Sequence, residues 1–320
     1  MKWGLIACGR IAKKFITSIS KVPEAQLKAI ASKSNAGPLR EQYQTIDIHD
    51  NYEAIYNDPE IDIVYISNTH NYHKENVIMA LQAGKHVLCE KPMGISAADV
   101  SEMISLAQAK NLFLMEAIWT RFLPCYNRMK SIISSGVIGE VKHVQASFSF
   151  NARDMGPDDR LNNPDLAGGA IWDVGIYPIS LAIDLFDGAP HEVIARGMLS
   201  DDKVDLRASM LLSFSDHRHA QLLCGIDIES QHDAIISGTL GWIRLPKFWS
   251  GQSLEVNYGD TKENLKIPID MTSSFSYEIR ACYEAISDGR IEHHLMSHEH
   301  SQLISEVIDE ALRQIKTTAE

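Results

Sequence analysis

Two apolar rhythms alternate through the first third of the chain. Short apolar runs lie at residues 3–7, 27–31, 61–67, 86–89 and 112–115, and between several of them come helical segments at 10–19, 73–83 and 96–109. In the first helical segment Ile11, Phe15 and Ile19 recur every fourth residue, which puts them on one face. The run Ile61-Asp62-Ile63-Val64-Tyr65-Ile66-Ser67 reads as a buried strand. Strands alternating with helices of about 10–15 residues form βαβ units, and those build a parallel sheet. Because such crossovers are right-handed, the pattern predicts a doubly wound α/β domain.

After about Ala117 the rhythm changes. A helix is predicted over 124–134 and an alternating strand over 141–150. Residues 151–169 are rich in Asp, Asn, Pro and Gly and read as a long loop, of the kind that is often functional in a compact domain. A helix over 170–186 precedes strands near 191–198, 207–214, 219–226, 234–237 and 242–245, the last two joined by the hairpin Gly238-Thr239-Leu240-Gly241. Helices over 277–287 and 297–315 follow. Runs of strands flanked by helices predict an α+β second domain, so the chain divides into a first domain over 1–118 and a second over 119–320.

Composition narrows the partners. An apolar fraction of 45% with 22% charged residues is that of an ordinary globular chain, and a net charge of −12 argues against nucleic acid or an anionic membrane as the main partner. The apolar run at the N-terminus is too short for a signal peptide, and no segment is expected to reach the roughly 20 apolar residues of a membrane span. Cys8, Cys89, Cys125, Cys224 and Cys282 are scattered, odd in number and without a Cys-x-x-Cys pair, so neither a disulfide framework nor a cysteine zinc site is expected, and a reducing cytoplasm is the expected compartment.

Five stretches carry candidate chemistry. In Glu90-Lys91-Pro92 a charged pair closes an apolar strand, where charges are rare unless paired or functional. The turn Ala7-Cys8-Gly9-Arg10-Ile11-Ala12 joins the first strand to the first helix, the place where dinucleotide sites bring backbone close to a pyrophosphate; here only Gly9 of the three usual glycine positions is glycine. At the end of the second strand, where NAD sites place a carboxylate for the ribose, stand Ser32, Lys33 and Ser34, which suit a 2′-phosphate; Arg10 can reach the same phosphate or lie over the adenine, and Lys33 also reads as a solvated loop lysine. Asn68, Thr69 and His73 cluster after the strong strand and can meet a ribose or phosphate, although a polar loop before a helix reads the same way. Asp173 and Tyr177 stand four apart on a predicted helix; with a lysine beside them they form a proton-transfer set, and alone they read rather as a helix start in which Asp173 caps and Tyr177 packs. His293, His294, His298 and His300 lack a completing set at zinc-like spacing and are expected to be exposed, so no metal site is predicted. No nucleophile-elbow serine and no P-loop occurs.

Taken in order, Trp3-Gly4-Leu5-Ile6, the Glu90-Lys91-Pro92 stretch, the run from Leu112 through Glu116, Trp119 and Arg121 to Phe122, and Gly168-Gly169-Ala170 through Asp173 to Tyr177 resemble the Gfo/Idh/MocA oxidoreductases, over nearly the whole chain. Within that family the resemblance is to the branch of dimeric dihydrodiol dehydrogenase and NADP-dependent D-xylose 1-dehydrogenase, which carries tyrosine where many members have the histidine equivalent of Tyr177. Ala7 departs from the glycine of many relatives. The resemblance implies an N-terminal Rossmann domain, a C-terminal domain with a large, mostly antiparallel open sheet that pairs in a homodimer, a cis Lys91-Pro92 bond, joint action of Lys91 and Tyr177 near the nicotinamide, and places for Trp119 and Arg121 at the cofactor and substrate cleft.

The expected function is hydride transfer between NADP, with NAD as the other choice, and a secondary or anomeric hydroxyl of a sugar, polyol or cyclic diol. Tyr177 is the expected base, Lys91 its electrostatic partner, and Asp173 the residue that orients the pair or binds a substrate hydroxyl; Gly9, Arg10, Ile11, Ser32, Lys33, Asn68, Thr69, His73, Glu90, Lys91, Pro92, Trp119 and Arg121 are the expected cofactor contacts. Specificity is expected from the loop 151–169 and from Arg153, Arg160, Trp242 and Trp249. The other reading is an NADP-binding sensor without turnover.

Overall fold

A computed structural model describes residues 1–152, 155, 156 and 159–318. The chain forms two compact units. The first takes in Met1–Gly94, Ala98–Phe122 and Asp270–Ser301; the second takes in Ile95–Ala97, Leu123–Ile269 and the chain from Gln302 on. Residues 270–301, which the sequence pattern placed in the second half, therefore return to the first unit.

In chain order the first unit runs β1 (Lys2–Ile6), α1 (Arg10–Ile19), β2 (Gln26–Ala31), α2 (Ala36–Gln42), β3 (Asp47–His49), α3 (Glu53–Asn57), β4 (Ile63–Ile66), α4 (His73–Gln82), β5 (His86–Glu90), α5 (Ala97–Lys110) and β6 (Leu114–Ala117). The six strands pair in parallel in the order β3-β2-β1-β4-β5-β6. Every residue of β4 is buried, as expected of a strand covered on both faces. Phe15 of α1 stacks on Tyr65 of β4 with ring centres 3.9 Å apart and meets Trp3 of β1 at 5.4 Å. Gly4 admits α3: a Cβ there would come within 2.5 Å of Ile55. Ile11 leaves the face it was expected to share with Phe15 and Ile19; it stands in the first turn of α1 and is 37% exposed.

The second unit continues with α6 (Pro124–Ser134), β7 (Val141–Ser149), a π-helical turn (Ile171–Gly175), α7 (Ile176–Phe186), β8 (Glu192–Leu199), β9 (Asp205–Phe214), β10 (Arg218–Gly225), β11 (Ala234–Gly238), β12 (Gly241–Leu245), β13 (Ser253–Tyr258) and β14 (Thr261–Lys266). Its eight strands run in the order β14-β13-β12-β11-β7-β10-β9-β8, antiparallel throughout except for the parallel pair β7 and β10. The nearly all-apolar α7 packs across β7 and β10. One stretch, Pro164–Phe186, is long and apolar enough to cross a membrane, contrary to the sequence expectation, but its apolar 18-residue span is 78% buried, as the core helix of a globular unit is. On the other face of the sheet Gln145, Ser147, Ile194, Arg196, Leu211 and Leu223 line a shallow recess of about 500 Å³.

Two helices close the chain, α8 (Ser276–Ser287) and α9 (His298–Thr318). In the first unit α8 packs on α1 and on the turn at Trp119–Phe122, and the Phe275 amide donates to Ser18 Oγ at 3.2 Å. All five cysteines are buried and free.

Candidate functional site

The β1–α1 turn meets the requirements of an anion cradle. Ala7 adopts the left-handed conformation (φ 62°) and its amide donates to Ala31 O at 2.9 Å, while Ser67 Oγ donates to Ala7 O at 2.6 Å. Gly9 is the N-cap of α1 at φ −86°, no side chain caps the helix, and its first turn holds no acid. A Cβ at Gly9 would meet nothing within 4 Å. A bare helix N-terminus with open space over a glycine fits a pyrophosphate. Arg10 and Ile11 are exposed beside it.

At the end of β2, Ser32 is 2% exposed, and its amide donates to His49 O of β3 at 3.0 Å. Lys33 is exposed, and its Nζ lies 4.6 Å from the Tyr52 ring centre. Lys33, Tyr52, Asn68 and Tyr72 line a cavity of about 300 Å³. The Oδ1 of Asn68 is buried without a hydrogen-bond partner among the described residues. An orphaned acceptor, aromatic walls and a cation suit the nucleoside end of a dinucleotide. Thr69 Oγ1 donates to Asn71 Oδ1 at 2.8 Å. His73 is fully buried; its ring nitrogens lie 2.7 Å from Pro92 O and 3.0 Å from Asn68 O, tying two loops together from within.

Lys91 follows β5 directly, and its bond to Pro92 is cis. Glu90 is 7% exposed; it accepts from Tyr65 Oη at 2.5 Å and from the Lys91 amide at 3.2 Å. Burial raises its carboxyl above the usual range, against the pull of Tyr65 and the Lys91 charge. Glu116, at the end of β6, accepts from the Met93 amide at 2.8 Å, and burial pushes it up to about 7. Burial also raises Glu278 of α8 and lowers Lys14 of α1, whose ammonium sits 4.1 Å from the Trp119 ring centre and 4.6 Å from that of Phe275.

Trp119 and Arg121 are turned into the first unit. Trp119 packs on Phe275 at 5.5 Å, and Arg121, 1% exposed, donates to Leu295 O at 3.0 Å and lies 2.7 Å from His300 Nδ1. The histidines expected at the surface are mostly inside: His293, His298 and His300 are buried. His298 Nε2 lies 3.0 Å from Leu114 O and the His293 ring meets Phe122 at 5.3 Å, since a buried ring must satisfy its nitrogens or pack. Among the described residues no group of three or more His, Cys, Asp or Glu is placed to hold a metal.

In the second unit Asp173 lies in the π-helical turn and Tyr177 in the first turn of α7. Asp173 does not cap a helix; its Oδ1 accepts from Arg160 Nη2 at 2.8 Å. Tyr177, 8% exposed, is set in an aromatic wall: Phe148 at 5.5 Å and Trp249 at 6.5 Å, with Phe148 and Trp249 stacked at 4.8 Å and His232 at 5.0 Å from Phe148. Trp242 lies on β12, paired with Asn257 and Ser237, and Arg153 lies outside the described residues. Burial pushes Asp205, at the start of β9, up to about 7, although it accepts backbone hydrogen bonds from Ile171 and Ala170. The sequence reading missed Phe148, His232, Glu278 and Asp205, and quoted Glu116 in a matching run without giving it a role. The inward alternation of β7 signals Phe148; nothing local signals His232, Glu278 or Asp205.

Residues 1–118 match a model described as an oxidoreductase family with an NAD-binding Rossmann fold, and residues 126–244 match the GFO/IDH/MocA C-terminal domain. Trans-1,2-dihydrobenzene-1,2-diol dehydrogenase of Xenopus tropicalis is 33% identical, covering 99% of this chain and 98% of that protein; the Homo sapiens protein of the same name is 31% identical with the same coverage. A 3-ketoreductase from Actinomadura kijaniata, solved with NADP and TDP-benzene, superposes with a TM-score of 0.85 at 26% identity, covering 99% of this chain and 97% of that one. Aldose-aldose oxidoreductase from Caulobacter crescentus gives a TM-score of 0.89 at 23% identity, covering 99% and 98%, a likeness of fold.

Proposed function

Since the chain belongs to the Gfo/Idh/MocA family of oxidoreductases, we propose that it is an NADP-dependent dehydrogenase of a secondary or anomeric hydroxyl on a sugar, polyol or cyclic diol. The observation that carries the reading is Lys91 at the carboxyl end of β5, in a parallel sheet of order β3-β2-β1-β4-β5-β6, since such sheets bind nucleotides beyond the carboxyl ends of their strands. The relatives act on diols by name, and the aromatic wall of Phe148 and Trp249 beside Tyr177 suits the apolar face of a ring.

A bound nicotinamide supplies the acceptor of a hydride, two electrons and one proton from the carbinol carbon. The chain's own groups handle the other proton. Tyr177 takes it from the hydroxyl while Lys91 holds that oxygen; a nearby ammonium favours the phenolate. Asp173, held by Arg160, orients the substrate or the tyrosine. The proton passes to Tyr177, and the carbinol becomes a ketone, or a lactone from an anomeric carbon.

Lys33, with Arg10 at the head of α1 and no acid at the end of β2, supports NADP over NAD. The recess on the outer face of the eight-stranded sheet, with Ile194 41% and Met198 46% exposed, supports a homodimer, checked by sedimentation: a monomer at micromolar concentration removes that part. The buried free cysteines suit a reducing cytoplasm. A binder without turnover is not favoured, because the relatives are dehydrogenases by name.

The test is NADPH formation by the purified protein across aldoses, inositols and cyclic diols. Lys91→Met and Tyr177→Phe are each expected to lower kcat by about 10²–10⁴-fold, and Lys33→Ala to erode the preference for NADP. Undiminished turnover in both of the first two variants removes these assignments.

A further inference from the structure

A π-helical turn holds one residue more than the α-helix around it tolerates, and such turns persist where surrounding structure secures them. The turn Ile171–Gly175 carries Asp173 and leads directly to Tyr177. It is secured at its first amides by one side chain: Asp205 Oδ2 accepts from the Ile171 amide at 2.7 Å, and the same carboxyl takes a bond from the Ala170 amide. Asp205 is 3% exposed and belongs to β9, a strand of the large sheet. Gly169, at φ +131°, makes the approach feasible, for a Cβ there would lie 2.0 Å from Asp205 Oδ1. At the far end Gly175 rests against β10, where a Cβ would come within 2.9 Å of Cys224 Sγ. The turn is thus fixed to two adjacent strands, once by hydrogen bonding and once by contact.

We propose that Asp205 is a positioning residue for the reaction: by gripping the amides of Ala170 and Ile171 it sets the register of the π turn, and so the aim of Asp173 and Tyr177. The inference rests on the proposed role of Tyr177. Asp205 acts on the backbone, and no step of proton or hydride transfer passes through it.

The experiment compares Asp205→Ala, which removes the acceptor, with Asp205→Asn, which keeps one. Asp205→Ala is expected to lower kcat by about 10–100-fold, in line with the cost of a displacement of about 1 Å. The KM for NADP should stay within about twofold, because the cofactor contacts belong to the other unit, and the pH profile of kcat should shift. Asp205→Asn is expected to recover most of the rate. Deuterium exchange of the amides of 169–177 should be faster in Asp205→Ala. A folded Asp205→Ala with kcat and exchange unchanged overturns the proposal. If that variant does not fold, Asp205→Asn decides: exchange at 170–171 faster and kcat measurably lower support the proposal, and both unchanged refute it. Tyr177→Phe separates the two claims. Full turnover in Tyr177→Phe removes the catalytic reading while the exchange data still report the clamp. A dead Tyr177→Phe beside an unaffected Asp205→Ala removes this inference alone.

Discussion

Alanine at Gly9 would find open space in the folded chain, and at φ −86° its backbone is unstrained. Alanine narrows the unfolded ensemble but caps a helix less well than glycine, so the two effects roughly offset and Gly9→Ala should change stability by less than about 1 kcal/mol. If Gly9 is where the pyrophosphate comes closest, the same methyl group should weaken NADPH binding by about tenfold or more, roughly 1.4 kcal/mol. Thermal melts and fluorescence titration measure the two separately, and unchanged NADPH affinity would free the turn from that role. Glu116 gives a pH dependence. Its native carboxyl titrates at about 7 against an ordinary 4.5, so between those values the folded chain holds a proton that the unfolded chain has lost. The stability it contributes is full below pH 4.5 and is lost as pH rises through about 7, by up to about 3 kcal/mol. Glu116→Gln keeps the acceptor for the Met93 amide without the titration, so its urea midpoint should gain on that of the parent from pH 5 to pH 8. A difference that is constant with pH counts against this. Lys91 and Tyr177 stand out as candidates in the sequence because a charge closing an apolar strand and a phenol four residues from a carboxylate are local patterns. Asp205 could not, since its partners, the amides of Ala170 and Ile171, lie far from it in sequence and are made available only by the fold.

At the scale of elements, legibility followed burial. Helix α6 has the predicted bounds, and β4 and β5 lie within a residue or two of theirs, because apolar periodicity dominates those segments. The short α2, β3 and α3 went unread: each has seven residues or fewer, and β3 has no buried residue. The edge strand β14, Thr-Lys-Glu-Asn-Leu-Lys, is polar because it faces solvent and owes its form to pairing with β13. The π turn escaped for a different cause. A run over 170–186 with uniform apolar content reads as one helix, and an inserted residue changes backbone bonding without changing composition. Asp173 and Tyr177 were expected to share an α-helical face, yet the widened turn lies across that interval.

For the molecule as a whole, the return of Asp270–Ser301 to the first unit has a consequence for biosynthesis. The nucleotide-binding sheet is complete once Ala117 has been made, but the helix that packs on α1 and on the Trp119 turn begins at Ser276. During translation the nascent first unit must therefore wait for more than 150 further residues before Phe275 can cover Trp119 and Lys14 and Ser18 can meet its amide partner. A fragment ending at Phe122 should show the helix content of α1 to α5 by circular dichroism but melt without a cooperative transition, and a peptide spanning 270–301 should restore cooperativity. A fragment that melts sharply alone would show that the late segment is dispensable. If it is not, a ribosome stalled in the middle of the second unit holds a nucleotide domain that is assembled in outline and unfinished in its packing, a state in which chaperones rather than cofactor would be its first partners.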